Sequence, residues 1–232
     1  MIIRHDRSDK ESIVDVNDWP GITNFFRGSG ASTLIAPDWL LTAAHVARHI
    51  PTDIQLSVEL AGKRYPIART IVCPYYEPRW EQDEGDPDTV DLAVVQLAMP
   101  VEEVVPFKLY DRSDELGQEV LLLGWGECGN GLHGARGADH TLRRVTNQIH
   151  EVDDYWIKYR FDAPPEGTVL EGVSAGGDSG GPALIWHDGQ FKVAGVSSWQ
   201  DHGDKPLGTY GCIEHYTRVS SFVNWIREAC GL

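Results

Sequence analysis

Three residues at the borders of apolar segments have the side chains that nucleophilic catalysis needs. His45 lies within "LLTAAHVARH", Asp91 opens the apolar run "DLAVVQL", and Ser179 lies in the glycine-rich "GGDSGGP". A serine hydroxyl becomes a useful nucleophile when a base takes its proton, and imidazole titrates near neutrality. A carboxylate fixes the imidazole tautomer and stabilises its charged form. The set therefore predicts acyl transfer to Ser179.

Two other chemistries compete for the same residues. The string "GDSGG" also satisfies the G-x-S-x-G pattern of α/β hydrolases. Those enzymes place Asp and His after the serine and need helices between strands, whereas His45 and Asp91 precede Ser179 here. His45 and His49 are four residues apart, but the glutamate of H-E-x-x-H is missing. We therefore predict no metal site at this histidine pair.

Short strands must position these residues. The chain of 232 residues contains 24 glycines and 13 prolines, and short β-type runs bounded by turn residues recur along it. The one helical pattern is "SSFVNWIREACG", with apolar residues at helical spacing, Ser220 or Ser221 as cap and Gly231 as its end. We predict an all-β protein of two barrels. Residues 1–110 would carry His45 and Asp91, and residues 111–232 would carry Ser179 and the helix.

Charge and composition narrow the partners. A formal net charge of −15 argues against nucleic acid and disfavours anionic membranes. No apolar stretch approaches 18 residues, and the first ten residues lack the apolar core of a secretory signal. We expect a monomer that acts on protein or peptide substrates, without cofactor or metal. We expect a secreted or periplasmic location, and a cytoplasmic one stays open.

Several motifs together resemble the trypsin/chymotrypsin-like serine proteases over nearly the full chain. They are "LTAAH", "DLAVVQL", "GWG", "GDSGGP", "VSSW" and "YTRVSSFVNWI". The resemblance implies two six-stranded antiparallel Greek-key β-barrels and a serine endopeptidase that works through an acyl-enzyme. Carried over from the family, Ser179 is the nucleophile, His45 the general base and then acid, and Asp91 the orienting carboxylate. The N–H groups of Gly177 and Ser179 would form the oxyanion hole.

The N-terminus leaves an alternative open. In the family, a freed N-terminal ammonium inserts beside the Asp that precedes the serine, which is Asp178 here. The resemblance places that ammonium on Ile2 if Met1 is removed. With Met1 retained, Asp178 would lack its partner. The chain would then be a latent zymogen or a protease-fold binding protein with an unformed oxyanion hole.

The resemblance also indicates the residues of the primary specificity pocket. Its floor would be Val173, with Ser174 beside it, and trypsin-like relatives carry an Asp at that floor position. Its walls would comprise Ser198, Trp199, Gln200 and Glu214. Glu214 could accept a basic substrate side chain through charge-assisted hydrogen bonds. Alternatively, Glu214 bonds a neighbouring strand and Gln200 narrows the pocket to small or medium side chains.

The cysteines depart from the family pattern. Gly30 and Val46 stand where relatives often have a disulfide, and Ala175 replaces another common cysteine. By position in the family fold, Cys73 with Cys230 and Cys128 with Cys212 are the more plausible pairs, and four reduced thiols are the alternative. The acidic loop Glu81–Asp88 would rim the substrate cleft. A solvated loop, a preference for basic substrate residues or a calcium site are its possible roles.

Overall fold

The computed structural model of the chain describes residues 1–53, 55–77 and 89–232. The predictions for Glu81–Asp88 therefore lie outside the described residues. No helix formed by the described residues is long and apolar enough to cross a lipid bilayer.

Strands dominate the described chain. Those before residue 100 are β1 (Ile2–Ile3), β2 (Ile22–Asn24), β3 (Ala31–Ala36), β4 (Trp39–Thr42), β5 (Ser57–Leu60), β6 (Lys63–Val72) and β7 (Ala93–Leu97). Those after it are β8 (Lys108–Leu109), β9 (Glu119–Gly124), β10 (Glu127–Asn130), β11 (Gly134–Ala138), β12 (Arg143–Gln148), β13 (Glu151–Val152), β14 (Trp156–Arg160), β15 (Gly172–Val173), β16 (Pro182–His187), β17 (Gln190–Asp201) and β18 (Ile213–Arg218).

Two curled, barrel-like sheets make up most of the fold. The first has six strands in the order β2-β3-β4-β7-β6-β5, and all its pairings are antiparallel. The second follows the order β12-β9-β16-β17-β18-β14-β13, with β8 joining β17 in parallel. β3 and β4 are buried along their whole length, and most of their apolar side chains belong to the main hydrophobic core. The all-β prediction is confirmed, whereas the division at residue 110 stays a prediction.

A third sheet, of four strands, differs from the expected pattern. Its order is β11-β10-β1-β15, and β1 pairs with β10 in parallel. The N-terminal strand thus lies between the segment after "GWG" and the segment before Ser179. This places the first residues of the chain beside the glycine-rich loop.

The C-terminal helix forms as predicted, with a different start. Helix α2 runs from Val219 to Cys230 and ends at Gly231, whose φ of 68° lies in the left-handed region that glycine tolerates. Its N-cap is Arg218, so the prediction of a serine cap is wrong. Ser220 Oγ instead donates to Glu115 Oε1 at 2.5 Å. A second, single-turn helix, α1 (Ala44–Ala47), was not predicted, and it carries His45.

All four cysteines are free thiols, so the two expected disulfides are absent from the structure. Burial raises the pKa of Cys230 to about 12, and it raises the pKa of Cys73 and of Cys212 as well. Apolar contact replaces the missing family bridge near the active site. A Cβ added at Gly30 would lie 2.7 Å from Val46 Cγ1, so the two chain segments already touch.

Candidate active site

His45 and Asp91 are directly paired. His45 Nδ1 lies 2.6 Å from Asp91 Oδ2, and the backbone N–H of His45 donates to Asp91 Oδ1 at 2.8 Å. β4 ends at Thr42, and the single turn of α1 then turns the imidazole toward the carboxylate. Both carboxylate oxygens of Asp91 therefore bind the same residue, which fixes the orientation of the ring.

Asp91 is buried, with 4% of its surface exposed, and two further residues hold it. Ser198 Oγ donates to Asp91 Oδ2 at 2.5 Å, and Thr217 Oγ1 donates to the Asp91 carbonyl at 2.9 Å. Burial tends to raise the pKa of Asp91. The charge and hydrogen bonds of His45, with the bond from Ser198, outweigh it and hold this pKa below the ordinary value. Asp91 is thus a stable anion that can support a protonated His45.

Ser179 lies in the tight loop between β15 and β16. Its carbonyl accepts a 2.7 Å bond from Ala31 N, at the start of β3. A Cβ added at the next residue, Gly180, would overlap Thr42 Oγ1 and lie 3.2 Å from Ala43 N. Thr42 and Ala43 are the residues just ahead of α1. The glycine therefore lets the serine loop pack closely against the segment that carries His45.

The backbone around Ser179 offers two N–H donors. Within the described parts of the chain, the N–H groups of Gly177 and Ser179 have no hydrogen-bond acceptor, whereas Asp178 N donates to Ala175 O. Gly177 has a φ of 94°, and a Cβ added there would lie 2.6 Å from Gly28 O. A side chain at Gly177 would therefore be strained and would clash. Unused N–H groups in one loop are suited to stabilising a developing oxyanion.

In the chain that carries Met1, the ammonium partner of Asp178 is Met1, whereas the assignment of Ile2 applied to a chain without Met1 and stays a prediction. The Met1 ammonium lies 2.7 Å from Asp178 Oδ2 and donates to Glu127 O at 2.6 Å. Asp178 also accepts bonds from Gly126 N at 2.7 Å and Ala175 N at 3.0 Å. Ile2 lies fully buried in β1, where it pairs with Gly129 and Val173.

This arrangement corrects the prediction that Asp178 lacks a partner when Met1 is retained. Both groups of the pair are at most 1% exposed. A buried carboxylate is costly unless it is paired, and here the pairing is complete. Counting residues along the sequence located this end of the chain only to within one or two positions, so it missed Met1. A shift of one residue also moves every side chain of a strand to the opposite face.

Two of the residues predicted for the specificity pocket, Ser174 and Gln200, contact a third, Glu214, whereas Ser198 bonds Asp91 instead. Gln200 and Glu214 are register partners on β17 and β18. Glu214 is fully buried, Ser174 Oγ donates to its Oε2 at 2.8 Å, and Gln200 Nε2 donates to its Oε1 at 2.5 Å. Gly208 N donates to Gln200 Oε1 at 2.7 Å, a contact that the sequence did not predict. The Gln200 amide is thus held at both ends.

Glu214 differs electrostatically from Asp91 and Asp178. Burial raises the pKa of Glu214 to about 8, against opposing hydrogen bonds from Ser174 and Gln200, and nearby Asp178 raises it further. Among the described residues, Glu214 forms no ion pair with a cationic side chain. Val173, the residue predicted to form the floor of the pocket, is fully buried in β15. Glu214 is therefore a buried acid with no counter-ion in the part of the chain that the structure describes.

Trp199 forms an aromatic wall next to this acid. Its ring stacks on His215 with centroids 3.7 Å apart and an interplanar angle of 10°. Trp156 meets both rings edge-on. Burial lowers the pKa of His215 to about 4, so this ring is neutral at physiological pH. The wall is therefore aromatic and uncharged, and the sequence had indicated only its Trp199 component.

The comparisons with known proteins agree with this geometry. The trypsin family model matches residues 13–226. The chain is 31% identical to the complement C1s subcomponent of Rattus norvegicus, in an alignment that covers 91% of this chain and 33% of the relative. It is 28% identical to a trypsin of Phaedon cochleariae, covering 84% of this chain and 76% of the relative. The chain thus spans about a third of the length of the complement relative.

A solved structure matches the fold. Neuropsin, a serine protease expressed in the limbic system of mouse brain, superposes with a TM-score of 0.73 at 19% identity. The superposition covers 94% of this chain and 98% of the neuropsin chain. At that identity the match supports the fold alone, and it agrees with two barrel-like sheets and a terminal helix. With the family model extending over most of its length, the chain belongs to the trypsin family of serine proteases.

Proposed function

We propose that this protein is a serine endopeptidase that hydrolyses peptide bonds through an acyl-enzyme. The observation that carries the proposal is the pair formed by His45 and the buried Asp91 beside the Ser179 loop. His45 takes the proton of Ser179 as the serine Oγ attacks the scissile carbonyl carbon, and the ester bond forms. His45 then gives this proton to the leaving amine. A water molecule then attacks the ester in the same way, with His45 again accepting and returning a proton, which releases the carboxylic acid and restores the serine.

The N–H groups of Gly177 and Ser179 stabilise the oxyanion in each step. Their freedom from protein acceptors among the described residues supports this role. The buried bond between Met1 and Asp178 supports a formed loop rather than a latent one, because Asp178 separates the two donors. This argues against the alternative of a binding protein or zymogen with an unformed oxyanion hole.

A fluorophosphonate probe tests the catalytic proposal. We expect covalent labelling of the wild type at Ser179 and hydrolysis of a mixed peptide library. Ser179→Ala should show neither, and its circular dichroism spectrum should match that of the wild type. Ser32→Ala is a matched control, since it removes a buried serine hydroxyl outside the site. A wild type that neither reacts with the probe nor cleaves peptides would refute the assignment.

We further propose that the pocket prefers Lys or Arg before the scissile bond, with Glu214 as the acceptor. The support is that Glu214 is buried without a cation among the described residues. A substrate ammonium or guanidinium would supply the missing counter-charge. One contact favours the narrower alternative. The Gln200 amide, fixed between Glu214 and Gly208, lies where a long side chain would enter.

A substrate panel that varies only the residue before the scissile bond separates these pockets. Preference for Lys or Arg that vanishes in Glu214→Gln supports the acidic pocket. Preference for Ala, Val or Leu, unchanged in Glu214→Gln but broadened in Gln200→Gly, supports the narrow one.

For location, the coarse expectation from the family is an exported protein, and we propose a secreted or periplasmic enzyme. Fractionation of the source cells would test this.

A further inference from the structure

A buried arginine joins the N-terminal segment to the body of the protein. Arg143 on β12 is 1% exposed. Its Nε and Nη2 donate to the two carboxylate oxygens of Asp9 at 2.8 and 2.9 Å. Its Nη1 and Nη2 donate to those of Asp139 at 2.7 Å each. One guanidinium thus holds two carboxylates, each by two bonds, a geometry that lysine cannot reproduce.

The two carboxylates come from different parts of the chain. Asp9 belongs to the segment that follows β1, and Asp139 precedes β12 by only a few residues. The hydrogen bonds from Arg143 lower the pKa of Asp9 and of Asp139, so both stay ionised. Backbone bonds continue the attachment, since Arg144 N donates to Ser12 O at 2.8 Å. Residues 9–12 are therefore tied to β12.

The tie lies one strand away from the buried ammonium. Arg143 pairs in register with Gly124 on β9. A Cβ added at Gly124 would overlap Asp178 Oδ1 and lie 3.1 Å from Met1 Cε. The pairing of β12 with β9 thus places Arg143 opposite Gly124, the residue against which Met1 and Asp178 pack. We call the contacts of Arg143 with Asp9 and Asp139 the arginine clamp. The clamp fixes one end of the N-terminal segment, and the pair of Met1 and Asp178 fixes the other.

The guanidinium of Arg143 is buried, whereas the carboxylates of Asp9 and Asp139 are each 48% exposed. The pairs therefore anchor a surface segment to a buried point on β12. We propose that Arg143 is a positioning residue, which holds Asp9 and Asp139 so that the Met1 ammonium reaches Asp178. This inference adds to the proposed endopeptidase function and rests on it for its effect on turnover. Its effect on the ammonium is independent of activity.

The test measures the reactivity of the α-amino group of Met1 in the whole chain. Acetic anhydride acylates exposed amines, and mass spectrometry of the N-terminal peptide gives the labelling rate. Arg143→Met should raise this labelling rate about tenfold and lower the rate of peptide hydrolysis by a similar factor. Its circular dichroism spectrum should stay that of the wild type. Arg143→Lys should be intermediate. The matched control is Arg144→Met, which removes an exposed arginine from the same strand and should leave both rates unchanged.

The outcomes separate the clamp from the proposed function. Native folding of Arg143→Met with the labelling rate of Arg144→Met would overturn the clamp. If Arg143→Met does not fold, Asp9→Asn takes its place, since it weakens the clamp at a half-exposed carboxylate. It should also raise the labelling rate, and an unchanged rate would overturn the clamp equally. A wild type without any hydrolysis would refute the endopeptidase, and the labelling comparison would still decide the role of Arg143.

Discussion

Replacing Glu214 with Gln should stabilise the protein, and the gain should grow with pH. Glu214 is fully buried, and its pKa is raised from 4.5 to about 8 in the folded state. Between these values the folded protein keeps a proton that the unfolded chain releases. Stability therefore falls as pH rises through this window. Glutamine resembles the protonated acid, because its NH₂ can donate to Ser174 Oγ and its oxygen can accept from Gln200.

The size of the effect follows from the width of the window. Each pKa unit corresponds to about 1.4 kcal/mol. The difference between Glu214→Gln and wild type should be near zero at pH 4, about 3 kcal/mol at pH 7 and about 5 kcal/mol above pH 8.

Urea unfolding between pH 4 and pH 9 measures this difference directly. Other titrating groups cancel when the wild-type curve is subtracted from the variant curve. Ile213→Thr, on the same strand, removes no titrating group, and its difference from wild type should not depend on pH. A Glu214→Gln difference that stays flat between pH 4 and pH 8 would contradict the raised pKa and the buried, cation-free setting from which it arises.

Four further outcomes are expected. Asp91→Asn should keep the fold and lower turnover by about 10⁴, measured by ester hydrolysis, and combining it with His45→Ala should not add the two losses. Asp178→Asn leaves the Met1 ammonium buried without its anionic partner, so activity should fall much more than secondary structure, and full activity would contradict the pairing. Cys128, which is half-buried, should react with iodoacetamide before the other three thiols, as peptide mapping would reveal. Lys or Arg preference should strengthen between pH 6 and pH 9 as Glu214 ionises, whereas a pH-independent preference would exclude its charge from recognition.

The sequence was sufficient for the fold, and it singled out His45, Asp91 and Ser179 as the predicted catalytic residues, because those signals are local. Alternating apolar runs predict strands, and short strings such as "GGDSGGP" record the needs of a single loop. Contacts between distant segments were not predictable in the same way. The bond from Gly208 to Gln200 and the hold of Arg143 on Asp9 depend on how loops close in space.

The same limit explains why a partner for Asp178 was not predicted in the chain that keeps Met1. Counting along the chain gave the approximate start of β1, but it could not decide which backbone nitrogen would reach Asp178. That choice depends on the register of Ile2 against Val173 and Gly129, which is a property of the assembled sheet. The absent disulfides are a similar case. Cys212 is buried in an apolar cluster, whereas Cys128 is only partly buried on β10.

Two buried carboxylates near Ser179 are treated in opposite ways by the fold. Asp178 has an ammonium partner and three hydrogen bonds from backbone or terminal donors, so its charge is neutralised within the protein. Among the described residues, the donors to Glu214 are the neutral side chains of Ser174 and Gln200, and the charge of Asp178 works against its ionisation. A fold that needed Glu214 only for structure would be served as well by a neutral glutamine, with less cost above pH 5. The buried acid, with no cation paired to it among the described residues, therefore supports the proposal that a substrate side chain supplies the counter-charge.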